Sequence, residues 1–197
     1  MKVVAVVGSY RKGRTIDTAV DEALRGARDA GAQIEKILLL DKHIEFCTNC
    51  RACTQAPGPT RGWCVHKDDM AGILDTLDAA DAVIFASPIN FYTLTALMKR
   101  FIERLVCYGY WPWGTMPKNR IKKGHKRALL MASSACPAFI GRIAFRHTFS
   151  ILKAAVQCLG ARTVRTLYFG MAAAAPDDPL CDSDKHRAYA AGRKLVG

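Results

Sequence analysis

The sequence lacks long hydrophobic segments: no run of eighteen apolar residues occurs, and Lys2 leads directly into a strand pattern. These absences argue against a transmembrane helix and a secretory leader, so we expect an unexported, cytoplasmic protein with no membrane partner. Neither GxGxxG nor GxxxxGK(S/T) is present, which excludes a dinucleotide fingerprint and a P-loop. Repeats, low-complexity tracts and linkers are also missing, and the length of 197 residues favours a single domain, 1–197.

Acidic residues are scarce, since 17 Asp and Glu stand against 29 Lys and Arg and leave a formal charge of +12. Nucleic acid is the first partner to consider for such a chain. The cations are spread along the sequence, however, and only 118–127 is densely basic, which is also typical of a solvated loop. Anionic nucleotides or an acidic electron-transfer protein would use the same positive field, so nucleic acid is not the favoured partner.

The chain begins with five apolar residues, 3–7, that predict a strand buried on both faces of a parallel sheet. Glycines, hydroxyls and cations follow, and an amphipathic helix begins near Thr15. A strand, a glycine-bearing turn and a helix N-terminus can cradle an anion, because backbone N–H groups and the helix dipole favour negative charge. We predict a phosphate site rather than an ordinary strand–turn–helix junction, formed by Ser9, Arg11, Lys12, Gly13, Arg14 and Thr15.

Strand and helix patterns alternate along the rest of the chain. The predicted strands are 3–7, 33–40, 82–86, 128–132 and 163–169, and the helices between and after them start near 15, 70, 95, 140 and 182. This alternation predicts an α/β fold with a doubly wound, five-stranded parallel sheet between two helical layers. The phosphate loop after the first strand favours the flavodoxin-like strand order 2-1-3-4-5.

In such a sheet, ligands bind outside the carboxyl ends of the strands where the strand order reverses. The loops after the first, third and fourth strands should therefore surround one crevice. The second of these loops offers backbone polar groups and two aromatic rings, and the third is small and bears hydroxyls. Together they predict a planar cofactor with a phosphate tail, contacting Ser87, Pro88, Ile89, Asn90, Phe91, Tyr92, Ser133, Ser134 and Ala135.

Two motifs resemble the flavodoxin-like NAD(P)H-dependent FMN reductases. One is the phosphate loop around Gly8 to Thr15, and the other is the pairing of 87–91 with the helix segment 98–104. This chain departs from the family pattern at Tyr10, Arg14, Asn90 and Glu103. The resemblance implies FMN, with its phosphate at 9–15 and its ring against 87–92 and 133–136, and NAD(P)H as electron donor. It requires no catalytic acid or nucleophile, because FMN carries the redox chemistry.

Four of the eight cysteines lie close together in the long loop 41–66, at Cys47, Cys50, Cys53 and Cys64. A C-x2-C-x2-C run with a fourth cysteine nearby can supply four thiolates to one metal centre. The spacing resembles that of the iron–sulfur flavoproteins, a branch of the same family with a [4Fe–4S] cluster, although the gap before Cys64 is longer here. Free thiols, a zinc site and a disulfide are the alternatives.

The leading functional hypothesis is an FMN oxidoreductase that transfers electrons between NAD(P)H, or a reduced ferredoxin-type protein, and an unidentified acceptor. An electron carrier without a small substrate and a basic nucleic-acid-binding or regulatory protein are the rivals. An aromatic loop, 108–113, is expected either to flank the flavin or to be covered by a neighbouring subunit, since large exposed apolar patches usually mark interfaces. We therefore expect a homodimer or homotetramer.

Overall fold

The computed structural model describes residues 1–122, 124, 126–172 and 180–197. Its strands are β1 (Lys2–Val7), β2 (Gln33–Leu38), β3 (Ala82–Asn90), β4 (Thr93–Leu94), β5 (Gly109–Tyr110), β6 (Lys118–Asn119), β7 (Lys126–Ser133) and β8 (Ala161–Phe169). Its α-helices are α1 (Thr15–Asp29), α2 (Ala52–Gln55), α3 (Met70–Asp78), α4 (Ala96–Arg104), α5 (Ala138–Ala144), α6 (Arg146–Cys158) and α7 (Asp182–Val196). Short 3-10 turns follow β2 at Leu39–Asp41 and α4 at Leu105–Tyr108.

The central sheet has the order β2-β1-β3-β7-β8, and all of these neighbours pair in parallel. The predicted flavodoxin-like order is therefore confirmed, with β7 and β8 as the fourth and fifth principal strands. The sequence did not predict β4, which pairs antiparallel with β3, or the small β5–β6 hairpin. Each of these added strands is two residues long, too short to show a hydrophobic period.

Two hydrophobic clusters cover the two faces of the sheet, which makes three layers. Residues of β1 alternate between the clusters, with Val4 and Val6 in one and Val3, Ala5 and Val7 in the other. Helices α1 and α7 cover the second cluster, while α3, α4 and α6 cover the first. Complete burial of the central strands explains their continuous apolar runs.

Several predicted boundaries differ from the structure. The second strand, expected over 33–40, ends at Leu38, because Leu39–Asp41 form a 3-10 turn. The third strand continues to Asn90, because its end pairs with β4, so most of the predicted second loop is extended strand. The single helix expected over 140–159 is divided into α5 and α6 at Phe145. The centroid of the Phe145 ring lies 6.3 Å from that of Tyr92 and 6.4 Å from that of Tyr168. Among the described residues, no helix is both long enough and apolar enough to cross a membrane.

Candidate functional site

The loop after β1, the last residues of β3 and the end of β7 with the loop after it meet at the carboxyl edge of the sheet around a cavity of about 210 Å³. Convergence of these three strand ends is what the predicted topology required. Ten of the predicted residues line the cavity: Ser9, Arg11, Arg14, Thr15, Pro88, Ile89, Asn90, Ser133, Ser134 and Ala135. Tyr10, Ile16 and Ala172 also line it and were not predicted.

The first loop is held in a tight turn by its own groups. The hydroxyl of Ser9 accepts a hydrogen bond from the backbone N–H of Arg11 at 3.1 Å and donates to the carbonyl of Arg11 at 3.0 Å. Gly13 and Lys12 are absent from the cavity lining, since the Gly13 N–H donates to Asp17 at 2.7 Å and the Lys12 ammonium pairs with Asp41 at 2.7 Å. These two predicted residues therefore brace the loop in this structure.

Ser87 and Thr95 join the first two loops beneath the cavity. Ser87 is fully buried, donates to the carbonyl of Pro88 at 2.8 Å and accepts from the backbone N–H of Thr95 at 3.2 Å. The Thr95 hydroxyl donates to the carbonyl of Gly8 at 2.5 Å and accepts from the N–H of Met98, which caps α4. Sequence analysis missed Thr95, although a threonine immediately before a helix is a recognisable N-cap signal.

Phe91 and Tyr92 form the turn between β3 and β4 and do not line the cavity. Both have left-handed backbone angles, with φ of 46° and 67°, and their side chains are 95% and 79% exposed. Their rings lie 6.1 Å apart. In this structure the two predicted ring contacts thus belong to an exposed aromatic edge beside the cavity.

The third loop is fixed through Ser134. Its hydroxyl lies 2.5 Å from the Tyr168 phenol oxygen and accepts a hydrogen bond from the N–H of Cys136 at 3.0 Å. Burial raises the pKa of Tyr168, against the opposing effect of the Ser134 hydrogen bond. Tyr168, which the sequence did not single out, therefore holds the shape of this loop as a neutral phenol.

The four predicted metal-ligating cysteines surround a second, much smaller cavity. Cys47, Cys50, Cys53 and Cys64 all line it, together with the side chains of Arg51, His66 and Arg104 and the amide-bearing Asn49. The enclosed space is about 20 Å³, so a four-iron core would have to spread the thiols apart. Cys50 is exposed and Cys47 and Cys64 are half-buried, which places most of this loop at the surface.

Unusual backbone geometry brings the four cysteines together. Asn49 and Arg51, on either side of Cys50, both have left-handed backbone angles, with φ of 55° and 62°. Turns of this kind direct successive N–H groups into a concavity, a feature of many iron–sulfur and phosphate sites. Gly62 lets the segment before Cys64 cross Cys53, because a Cβ there would lie 1.7 Å from the Cys53 carbonyl oxygen.

Burial controls the protonation of the innermost thiol in the cysteine cavity. Burial, with further contributions from the thiols of Cys64, Cys47 and Cys50, raises the pKa of Cys53 to about 11. A bound cation would reverse this effect, since metals require deprotonated thiols. Among the described residues, no three His, Cys, Asp or Glu side chains are grouped to hold one metal ion.

Arg104 links the cysteine loop to the core. Its guanidinium donates to Asp68 at 2.6 Å, to the carbonyl of Glu45 at 2.8 Å and to the sulfur of Cys64 at 3.4 Å. The Arg104 and Asp68 side chains are only 2% and 0% exposed, so this ion pair is buried. The same carboxylate accepts from the N–H of Met70 at the start of α3, which ties Cys64 to two helices.

The aromatic loop packs on the cysteine loop of its own chain. The Arg51 guanidinium lies between the rings of Trp111 and Trp113, at 4.1 and 3.8 Å from their centroids. Neither tryptophan lines the cavity between the three sheet-edge loops, so the structure does not place them as a flavin lid. Tyr108 is buried and donates to Asp78 at 2.7 Å, whereas Trp113 stays 69% exposed.

Several cations of the basic segment 118–127 are used in hydrogen bonds within the chain. Lys126 donates to the carbonyls of Leu77 and Asp78, and Arg120 donates to the carbonyls of Gly109 and Cys53. Lys123 and His125 of this segment lie outside the described residues. The described part of the segment thus braces the fold and offers little support for a nucleic-acid interface.

A doubly wound parallel sheet with a crevice where its strand order reverses defines the flavodoxin-like class of α/β fold. The model of the NADPH-dependent FMN reductase family matches residues 1–176. The chain belongs to that family, as its two motifs had indicated.

Individual relatives agree with this assignment. The chain is 38% identical over 112 residues to an iron–sulfur flavoprotein of Archaeoglobus fulgidus, covering 57% of this chain and 49% of that protein. It is 29% identical over 106 residues to one of Methanosarcina thermophila, covering 54% and 53% of the two chains. The chain thus spans about half the length of the curated relatives it matches.

Solved structures with under 25% identity support the fold. An NAD(P)H:quinone oxidoreductase from Methanothermobacter marburgensis superposes with a TM-score of 0.73 at 22% identity, over 99% of this chain and 96% of that one. A flavone reductase superposes with a TM-score of 0.67, also at 22% identity, over 100% of this chain and 62% of that one.

Proposed function

We propose that this protein is an FMN-dependent oxidoreductase that takes electrons from NAD(P)H or from a reduced iron–sulfur protein and passes them to an acceptor that is still to be identified. The observation that carries the proposal is the cavity at the carboxyl ends of β1, β3 and β7 in a member of the FMN reductase family. The cysteine cavity adds a second redox site to the hypothesis.

FMN would lie across the sheet-edge cavity. Its phosphate would bind at the N-terminus of α1, where Arg11, Arg14 and the Ser9 and Thr15 hydroxyls line the wall. Its ring would lie against 88–90 and 133–135, where backbone groups orient it and small side chains permit close approach. When bound, FMN supplies the chemistry by which two electrons from a hydride donor can leave singly.

Cys47, Cys50, Cys53 and Cys64 would hold a [4Fe–4S] cluster by four thiolates. The cluster supplies one-electron chemistry, which makes a ferredoxin-type protein usable as a donor. The charge of +12 would attract an acidic partner of that kind. The described cysteines are all free thiols, which suits the reducing cytoplasm that we propose as its location.

The FMN assignment is tested by replacing Ser9 and Thr15 together with alanine. We expect FMN affinity to fall by about 1–3 kcal/mol for each donor removed, because both hydroxyls line the proposed phosphate site. Fluorescence titration of the apoprotein with FMN measures the affinity. Thr18→Ala, which removes a hydroxyl from the same helix but outside the cavity lining, is the matched control.

Unchanged FMN affinity in the double variant would contradict the phosphate site. The activity itself is read from the wild-type protein: anaerobic NADH or NADPH should bleach its flavin absorbance. A flavin that neither nucleotide reduces, but that a reduced ferredoxin does, would favour the rival electron carrier. A colourless preparation with steeply salt-dependent DNA binding would favour the nucleic-acid rival.

We also propose a homodimer or homotetramer in which a neighbouring subunit covers the aromatic loop 108–113 and other exposed apolar side chains. Phe91, Trp113, Met116, Phe139 and Ile143 are each more than two-thirds exposed, and such apolar exposure is typical of an interface. Sedimentation velocity at micromolar concentration should show a dimer or larger species. Charged substitutions at Phe139 and Ile143 should shift it toward monomer, whereas a wild-type monomer would contradict the proposal.

A further inference from the structure

We propose that Arg51 and His66 are hydrogen-bond donors to the sulfur atoms of the cluster and that they raise its reduction potential. The inference rests on the cluster proposed above and concerns residues outside the cysteine motif. Both side chains line the cysteine cavity. The Nε atom of Arg51 and the Nε2 atom of His66 are buried and have no hydrogen-bond partner in the part of the chain that the structure describes.

Two unpartnered buried nitrogens at one small cavity call for an explanation, because buried polar groups in folded proteins are generally paired. Arginine carries a permanent positive charge, and a histidine Nε2 donates when it bears a proton. Both nitrogens can therefore serve as donors, and the surrounding thiols would be negatively charged when they bind iron. An anionic sulfur centre in this cavity would satisfy both.

The Arg51 side chain is held in place by contacts with the aromatic loop. Its guanidinium is stacked between Trp111 and Trp113, and its Nη2 donates to the carbonyl of Trp111. These contacts hold the guanidinium in place, while its Nε has no described partner and the side chain lines the cavity. The left-handed backbone of Arg51 lies between Cys50 and Cys53, so the donor belongs to the turn that carries the ligands.

His66 lies between the cysteine cavity and solvent. Besides the cysteine cavity it lines an open cavity of about 550 Å³, which Trp63, Lys67 and Leu74 also line. Cys64 and Arg104 are likewise shared by the two cavities. His66 can thus limit the access of water to the sulfur side while donating to it.

Donors to sulfur change the potential in a definite direction. Reduction adds one negative charge to the cluster, so a fixed N–H group or positive charge stabilises the reduced form more than the oxidised form. Removing either donor should therefore lower the potential. The substitutions do not change the number of electrons that pass through the cluster. One electron would enter it from NAD(P)H-reduced FMN or an external iron–sulfur donor, and one would leave it to the acceptor.

The test is a potentiometric titration of the anaerobic holoprotein, followed by electron paramagnetic resonance of the reduced cluster. Arg51→Gln and His66→Leu are each expected to lower the equilibrium constant for cluster reduction at least tenfold. For a one-electron couple this corresponds to a reduction potential lower by 59 mV. Arg51→Lys and His66→Gln keep a charge or a donor and should show smaller shifts. If Arg51→Gln or His66→Leu loses the cluster, the potential is measured on these two conservative variants instead.

Arg100→Gln is the matched control. Arg100 also lies over an aromatic ring, 5.5 Å from the centroid of Phe46, and its Nε is also buried without a described partner. It does not line the cysteine cavity, so its loss should leave the potential unchanged.

Unchanged potentials in the Arg51 and His66 variants, with wild-type iron and sulfide content, would overturn the inference and leave the cluster standing. An equal shift of the reduction potential in Arg100→Gln would also overturn the inference, because it would show that loss of any nearby positive charge has the same effect. Wild-type protein without iron would overturn the cluster assignment and this inference together, with FMN binding unaffected.

Discussion

Serine in place of Cys50 is expected to abolish the broad iron–sulfur absorbance and the bound iron and sulfide while FMN remains bound. A serine oxygen is a poor substitute for a thiolate, and Cys50 lies between the two left-handed residues that curl the loop. FMN should be retained because the flavin cavity and the cysteine cavity are lined by different residues. Visible spectra and iron, sulfide and flavin assays on anaerobically purified protein measure the effect.

Cys181→Ser is the control for this substitution. Cys181 is also an exposed free thiol, but it precedes α7 and does not line the cysteine cavity. Its replacement should change neither iron nor flavin content. Full iron retention in Cys50→Ser would remove Cys50 from the ligand set, and wild-type protein with flavin bands alone would contradict the cluster.

Asp68→Asn is expected to destabilise the fold by about 3–5 kcal/mol, because it leaves the buried Arg104 charge without its carboxylate. Urea unfolding gives the free-energy difference. Asp182→Asn is the matched control, since the Asp182–Lys185 pair lies at the surface, with side chains 86% and 36% exposed. Its loss should cost about 0–1 kcal/mol. Equal effects of the two substitutions would contradict the buried ion pair.

The contribution of Asp68 to the stability of the fold should depend on pH. Burial by itself would raise the pKa of Asp68, but hydrogen bonds from Arg104 and from the backbone N–H groups of Glu45 and Met70 outweigh it and lower the pKa. A carboxyl whose folded pKa is depressed adds stability above its unfolded pKa of about 3.9 and loses it as pH falls toward the folded value. The stability difference between wild type and Asp68→Asn should therefore shrink below about pH 4.

The sheet and its ligand crevice could be predicted from the sequence because their signals are local. A run such as 3–7 is apolar at every position only where a strand is covered on both faces, and alternation with helices imposes parallel pairing. Once the strand order is known, the loops after β1, β3 and β7 must share one edge of the sheet. The glycine, hydroxyl and arginine content of the first loop then indicated an anion.

Other features depend on contacts between distant parts of the chain, which no local pattern reports. Thr95 reaches Gly8 across 87 positions, and Arg51 reaches Trp111 across 60. The helical pattern over 140–159 likewise does not report that α5 and α6 divide at Phe145, whose ring contacts the distant Tyr92 and Tyr168.

The cysteine loop shows where the two kinds of information divide. Spacing along the sequence determined which thiols are candidates, because C-x2-C-x2-C places three of them within one short turn. Tertiary structure decided that Cys64 joins them, since this requires a backbone crossing at Gly62 and a guanidinium anchored on Asp68. It also decided that Arg51 and His66 line the same cavity with unpaired nitrogens, because a hydrogen-bond deficit exists only once the surrounding groups are in place.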